Sequence, residues 1–527
     1  METYRVWGWG ATEQDAPKPA DLAALSKALA DRLGFPGQPP EEPAPPRPLP
    51  APRVALPTAL AGLGSADPVD RSRHGLGRSY RDLIHGIRGG PEHAPDLVIR
   101  PDTEQAVAAV LDWAAGAGVA VVPFGGGTSV VGGVTPDVGA GYRGAVSLDL
   151  GRLAGVREVD PVARAARVGA GTLGPDVDRG LAETGLTLRF FPQSYQRSTV
   201  GGWLATRAAG HYAATLQHVD DLVEAVRAVT PAGVWASRRL PGSGAGPSPD
   251  RLLLGSEGTL GVITEAWLRL QRRPVFRARA TLAAPDLRTG ALALRMIVQD
   301  GLAPATCRLV DATEAALTGT LATGEAALVL GAESATGPVA DALAAAVAAA
   351  VDLGLRALPT EAAGTAGGSW RSAFLRAPYL REYLVLCGVL VETFETAVPW
   401  SELDALIETV TAATGAALRA VCGAGTVTCR ITHAYPDGAA PYFTVLAPAR
   451  RGGELAQWAE IEAAAKDAVL AAGGTITHHH AVGRDHRRWY DRQRPEPFAL
   501  ALGAAKSATD PAGILNPGAL LDPRPAP

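Results

Sequence analysis

Apolar residues recur along this chain in two periods. At 22–33 they fall at helical spacing, which predicts a helix. The run LVIRP at 97–101 predicts a short strand. Thr103 then stands as the cap of a helix reaching about 115, with Val107, Val110, Leu111 and Ala114 on one face. VAVVPF at 119–124 is continuously apolar, as in a strand buried on both faces. Further strands are predicted at 145–150 and 166–171, a helix at 175–183, a β-like run at 222–233, and a turn with a strand at 255–270. Beyond about 274, β-like segments alternate with Ala-rich helices at 337–351, 400–414 and 454–472. The earlier region reads as α/β and the later one as a separate α+β domain. Between 36 and 52, nine prolines in seventeen residues predict an extended, polyproline-II-like wrap.

Composition narrows the classes. The 527 residues suffice for two to four domains at roughly 100–200 residues each. A hydrophobic share of 47% and a charged share of 19% belong to a globular protein. With 49 Lys+Arg against 53 Asp+Glu the net charge is −4, so no nucleic-acid partner is expected; such a partner calls for a basic patch. Cys307, Cys387, Cys422 and Cys429 form no CxxC pair and fit a reducing compartment. The opening METYRVWGWG lacks the basic-then-apolar order of a secretory signal. No apolar run of about 18 residues is evident, and the ending PRPAP is no peroxisomal address, so a cytoplasmic location is expected.

The chemistry concentrates first in PFGGGTSVVGG, 123–133. Three successive glycines can turn backbone N–H groups toward one anion because no Cβ blocks the approach, and Thr128 and Ser129 add hydroxyls. The loop is neither a Walker A nor a GxGxxG motif. A tight structural turn is the alternative reading. Two further loops, STVGGWLATRAAG at 198–210 and GSEGTLG at 255–261, are weak signals singly. Together the three read as walls of one cofactor cleft holding a diphosphate.

THHHAVG, 477–483, offers three adjacent imidazoles. On a strand, His478 and His480 point one way and His479 the other, so one shared metal ion is not expected. Acid–base or anion-orienting work suits imidazole, with a polar strand end as the plain alternative. Arg308 lies at strand spacing among apolar residues and must be paired or hold an anion. Arg381 has Glu382 beside it, so an ordinary ion pair competes with a binding role. Tyr442, in an apolar strand, reads by itself as a core tyrosine with a bonded hydroxyl.

These motifs, in this order, resemble the flavoproteins of the vanillyl-alcohol oxidase superfamily, and within it the alkyldihydroxyacetonephosphate synthase branch. The likeness covers nearly the whole chain, from VWGWG (6–10) and HGLGRSYRDLIHGIRG (74–89) to DPAGILNPG (510–518). ETFETAVPW (392–400) with the triple histidine is the most branch-specific signal. The resemblance implies an α+β, two-domain fold with a PCMH-type FAD-binding domain and a cap. The expected division is an N-terminal extension at 1–92, the FAD domain at 93–273, the cap at 274–490, and a return to the FAD domain at 491–527. FAD is the implied cofactor, expected without a covalent link, and a link from the cap side through His433 or the triplet is the alternative. Its diphosphate would lie on Pro123, Phe124, Gly125, Gly126, Gly127, Thr128, Ser129 and Gly133. Ser198, Thr199, Gly201, Gly202, Thr206, Arg207, Ala208 and Ala209 would line it. Gly255, Ser256, Glu257, Gly258, Thr259, Leu260 and Gly261 would complete it. Arg381 would bind a substrate phosphate, Tyr442 would move a proton, and Arg308, His478, His479 and His480 would be needed for activity. The implied reaction is redox-neutral, with flavin N5 as nucleophile: the acyl group of acyl-dihydroxyacetone phosphate is exchanged for a fatty alcohol. An FAD-linked oxidase or dehydrogenase of a 2-hydroxy acid or alcohol is the alternative on this scaffold. A lipid-like substrate, a homodimer and peripheral membrane contact also follow from the resemblance. The branch usually carries glycine where Ala481 stands.

Overall fold

The computed structural model describes residues 5–9, 18–35, 38–212, 218–302, 304–321, 324–359 and 379–522. The ending PRPAP and the outer parts of METYRVWGWG lie outside the described residues. The chain divides into two compact units. One comprises Pro43–Gly210, His218–Arg272 and His479–Pro527; the other comprises Met1–Glu42, His211–Gln217 and Arg273–His478. The segment expected as a single extension, 1–92, is therefore shared between them, and the return begins at His479, ahead of the expected 491.

The first unit is built around two sheets. In one, Leu97–Ile99, Gly144–Asp149 and Val119–Phe124 run parallel, with Gly64–Ser65 antiparallel at the edge. The helix Glu104–Ala117 covers it. Thr103 Oγ1 accepts the Ala106 N–H at 3.2 Å, and Gly118, at φ +64°, ends the helix. Val107, Val110, Leu111 and Ala114 are fully buried, as the periodicity requires. Each buried Val or Leu contributes roughly 1.5–3 kcal/mol. The C-terminal return adds Leu515 beside Val121. The other sheet is antiparallel and five-stranded: Val156–Asp160, Ala165–Gly169, Val262–Arg269, Val223–Thr230, Gly233–Ala236. The predicted helix at 175–183 is shorter, Gly174–Gly180, and is followed by a 3-10 turn. The proline-rich stretch is extended; here Ala44 N–H donates to Ile87 O at 2.8 Å and Arg47 N–H to Gly89 O at 2.7 Å.

The second unit is one antiparallel sheet of eight strands. The order is Arg356–Ala357, Phe276–Ala284, Ala326–Ser334, Thr306–Val310, Thr426–Ala434, Gly438–Pro448, Val389–Glu395, with Val398–Pro399 also pairing with Gly438–Pro448. One face packs on helices. Gly290 of the helix Leu287–Gln299 lies so close to Leu309 that a Cβ there would meet its Cδ1. The helix predicted at 400–414 runs on through Gly415 as Leu403–Cys422 and ends at Gly423, at φ +78°. By length and mean hydropathy, 1.3, the stretch Trp400–Cys422 is apolar enough to cross a membrane, contrary to the expectation that no run would be. Its many alanines raise the average, while Leu403, Leu406, Val410 and Leu418 form a buried stripe. The histidine triplet corrects another expectation. Residues 474–483 form bends rather than a strand, so face alternation does not govern His478, His479 and His480.

Candidate functional site

The three glycine loops come together in the first unit, and their glycines show why. A Cβ on Gly126 would run into the carbonyl of Arg197 and stand 3.1 Å from Ser198 Cα. A Cβ on Gly125 would meet Thr199 Oγ1. Gly258, at φ +72°, leaves only 2.8 Å to Pro123 Cγ. The loop after Val119–Phe124 thus lies against the backbone of Arg197 and Ser198, and the 255–261 loop lies against the Pro123 ring. Asn516 links these walls, since its Nδ2 donates to Gly133 O at 3.0 Å and to Glu257 O at 2.8 Å. Ser256 Oγ is buried without a hydrogen-bond partner, a polar atom available to a bound group. A cradle of glycine backbone with a spare buried hydroxyl fits the diphosphate of FAD.

Several residues expected to line the cofactor also serve the loops themselves. Ser129 Oγ accepts the Gly133 N–H at 2.9 Å, closing the first loop. Thr199 caps the helix Val200–Thr206 through the Gly202 N–H. Ser198 Oγ accepts from Trp203 Nε1 at 2.7 Å. Thr206 Oγ1 donates to Gly202 O at 2.8 Å, and Thr259 Oγ1 to Ser256 O at 2.7 Å. Arg207, at φ +50°, directs Nε to Asp220 at 3.2 Å. Phe124, Gly201, Ala208, Ala209 and Leu260 are buried, and Gly201 packs against Ala170. Gly255, at φ +78°, packs on the Arg207 side chain. A Cβ at Gly261 would press on Thr230, and one at Gly127, φ +63°, on the Phe124 ring.

Glu257 joins the loops to the chain that follows the triplet. Its carboxylate accepts the Val482 N–H at 2.9 Å and the Gly483 N–H at 2.8 Å. Burial pushes its proton affinity up to about 7, against those two hydrogen bonds and the Arg484 charge. Arg484 and Asp485 donate their N–H groups to Val131 O at 2.9 and 3.1 Å. Residues 481–485 are therefore fastened to the diphosphate loop. The rings of His479 and His480 sit 4.7 Å apart, edge to face. Ala481 has φ +73°, the left-handed region where a glycine is at ease.

In the second unit, polar residues share the sheet face opposite Leu309 and the helix Leu287–Gln299. Arg430 pairs with Tyr442, and Tyr442 with Glu395, in direct antiparallel register. Val310 is the partner of Arg430, so Arg308, two residues earlier, is on the same face. Arg308 Nη2 reaches His211 O at 2.8 Å and His211 Nδ1 at 3.1 Å. Burial, with the like charge of Arg430, lowers its pKa to about 9. Burial raises Tyr442 above the ordinary tyrosine value, while Arg430, a hydrogen bond with Thr393, and Arg381 favour its ionised form.

Glu382 holds Arg5 at 2.8 Å. Arg381 Nε donates to Val391 O at 3.2 Å and Nη2 lies 3.4 Å from Glu392 Oε1. His478 Nε2 is 2.8 Å from Tyr435 Oη, and its ring is 4.9 Å from that of His433. Glu395 accepts the His478 N–H and, at 2.7 Å, the Thr477 hydroxyl. Arg430, Glu395 and Tyr435 were not singled out from sequence. Arg430 shows the same signal as Arg308, a cation at period two inside an apolar strand. The carboxylates give no such signal, because their partners are remote in sequence.

Comparison with known proteins agrees with this layout. Residues 95–237 match the model of an FAD binding domain, and 273–520 that of the C-terminal domain of FAD linked oxidases. The chain is 30% identical over 482 residues to an alkyldihydroxyacetonephosphate synthase of Caenorhabditis elegans, covering 86% of this chain and 80% of that protein. For the Trypanosoma brucei brucei synthase the values are 28% over 486 residues, 87% and 78%. Among solved structures, an alkyldihydroxyacetonephosphate synthase superposes with a TM-score of 0.77 at 23% identity, over 97% of this chain and 98% of that one. A p-cresol methylhydroxylase gives 0.69 at 14%, over 88% and 95%. The fold is the two-domain flavoprotein fold, with FAD as its cofactor.

Proposed function

The chain belongs to the alkyldihydroxyacetonephosphate synthase family, and on that footing we propose that it replaces the acyl group of acyl-dihydroxyacetone phosphate with a fatty alcohol, an FAD-dependent step of ether-lipid synthesis. The observation that carries the reading is the polar row on the large sheet, where Arg308, Arg430, Tyr442 and Glu395 share one face. Bound FAD would supply a nucleophilic nitrogen, N5. Net chemistry breaks the bond between substrate carbon and carboxylate and forms one from that carbon to the alcohol oxygen. The carboxylate leaves as an anion, and the alcohol gives up one proton.

In this reading Arg381 binds the phosphate, exchanging its loose contact with Glu392 for a charge-assisted pair. Tyr442 Oη, buried, bonded to Thr393 and near the charges of Arg430, Arg381 and Glu395, holds and returns a proton. Arg308, fastened to His211, keeps a positive charge on the same face. His478 is aimed by Tyr435 and Glu395, and His479 and His480 follow it on the tethered segment. A lipid-like substrate, a homodimer, peripheral membrane contact and a cytoplasmic location belong to the same proposal.

The test is spectroscopic. The purified protein, loaded with FAD, is incubated without oxygen with palmitoyl-dihydroxyacetone phosphate, with and without hexadecanol. Bleaching of the flavin by the ketone phosphate, and ether product on adding the alcohol, is the expected result. A flavin that stays yellow with this substrate and bleaches with a 2-hydroxy acid overturns the proposal in favour of an oxidase.

A further inference from the structure

Arg430 has no role so far beyond its place in the row. It stands directly opposite Tyr442 in the register of Thr426–Ala434 and Gly438–Pro448. Its guanidinium carbon lies 3.9 Å over the Tyr442 ring centroid, within cation–π range. From behind, Glu314 of the helix Ala312–Thr318 fixes it, with Arg430 Nη1 to Oε1 at 2.6 Å. The other oxygen of Glu314 accepts the Thr428 hydroxyl at 3.1 Å. The Arg430 side chain is only 12% exposed, so its field reaches the ring with little screening by water.

Glu395 opposes Tyr442 on Val389–Glu395, Thr393 on that strand bonds its hydroxyl, and Arg381 adds a positive charge. Glu395 already accepts from Thr477 and from the His478 backbone. Arg430 is the cation set on the face of the ring.

We propose that Arg430 is a positioning residue that locks the Tyr442 ring and sets how readily its hydroxyl releases a proton. When Oη–H breaks, the proton passes to a basic atom of the substrate and the electron pair stays on the oxygen, where the guanidinium stabilises it. The inference rests on the reading of Tyr442 as the proton-moving group. Its test does not need the substrate.

The FAD-loaded full chain is prepared with 3,5-difluorotyrosine in place of Tyr442, whose acidic hydroxyl titrates in an accessible range. The midpoint is followed by fluorine NMR. Arg430→Met should raise it by about one pH unit, about tenfold in proton affinity, and Arg430→Lys should recover about half of that. Glu314→Gln, which frees the guanidinium of its counter-charge, should move the midpoint the other way. A merely structural arginine predicts no ordered shift. An unchanged midpoint in folded Arg430→Met, or a Glu314→Gln shift in the same direction, overturns the proposal. If Arg430→Met does not fold, the Lys and Glu314 variants decide by their signs. Ordered shifts in an enzyme that forms no ether product would remove the functional reading and leave the role of Arg430 intact.

Discussion

Gly126→Ala is the sharpest test of the glycine cradle. The new methyl would overlap the Arg197 carbonyl oxygen, stand 2.7 Å from its carbon and 3.1 Å from Ser198 Cα. All three are backbone atoms, so no side-chain rotation relieves the clash. Ordinary contacts of about 3.2–4.0 Å require the two loops to part by about 1.5 Å or more. Overpacking of this kind costs roughly 1–3 kcal/mol. Taken from FAD binding, that is about 5- to 150-fold in Kd; taken from folding, it lowers Tm. The assay is quenching of flavin fluorescence on titrating FAD into apoprotein, with thermal unfolding of the same samples. Gly116→Ala in the helix Glu104–Ala117 is the control, since nothing lies within 4 Å of its Cβ. It should bind FAD normally and gain about 0.5–1 kcal/mol. If Gly126→Ala matched wild type in both affinity and Tm, the close approach of the loops would be refuted.

Three other outcomes are expected. Ala481→Gly should stabilise the fold by about 0.5–1 kcal/mol, because it relieves a left-handed alanine at φ +73°; a lower Tm would contradict this. Glu257 has its pKa raised from 4.5 to about 7, so the stability it contributes is present below about pH 4.5 and lost as pH rises through about 7. Denaturant unfolding should show wild type losing about 2–3 kcal/mol relative to Glu257→Gln between pH 4.5 and pH 8, and a constant difference would show an ordinary carboxylate. Arg381→Met should raise KM for the ketone phosphate by at least about tenfold with a smaller effect on kcat, since one charge-assisted contact is worth about 1.5–3 kcal/mol; an unchanged KM would remove Arg381 from phosphate binding.

The sequence by itself determined the elements whose pattern is local. The stripe Val107, Val110, Leu111, Ala114 and the cap Thr103 specify one helix, and the apolar run at 119–124 a strand covered on both faces. Glycines that must lie against backbone marked the three loops, because no other residue fits there. Arg308 and Tyr442 were visible as polar residues inside apolar strands. Tertiary structure decided everything that depends on a remote partner. It gave Glu382 to Arg5 and Arg381 to Glu392. It set Arg430 over Tyr442 through strand register, which no local pattern encodes. It also turned 474–483 into bends, since Glu395 and Glu257 take N–H groups there that a strand ladder would have used. Side-chain period follows from backbone geometry and is written in the chain, whereas the pairing of buried charges is settled only when distant segments meet and must satisfy one another away from water.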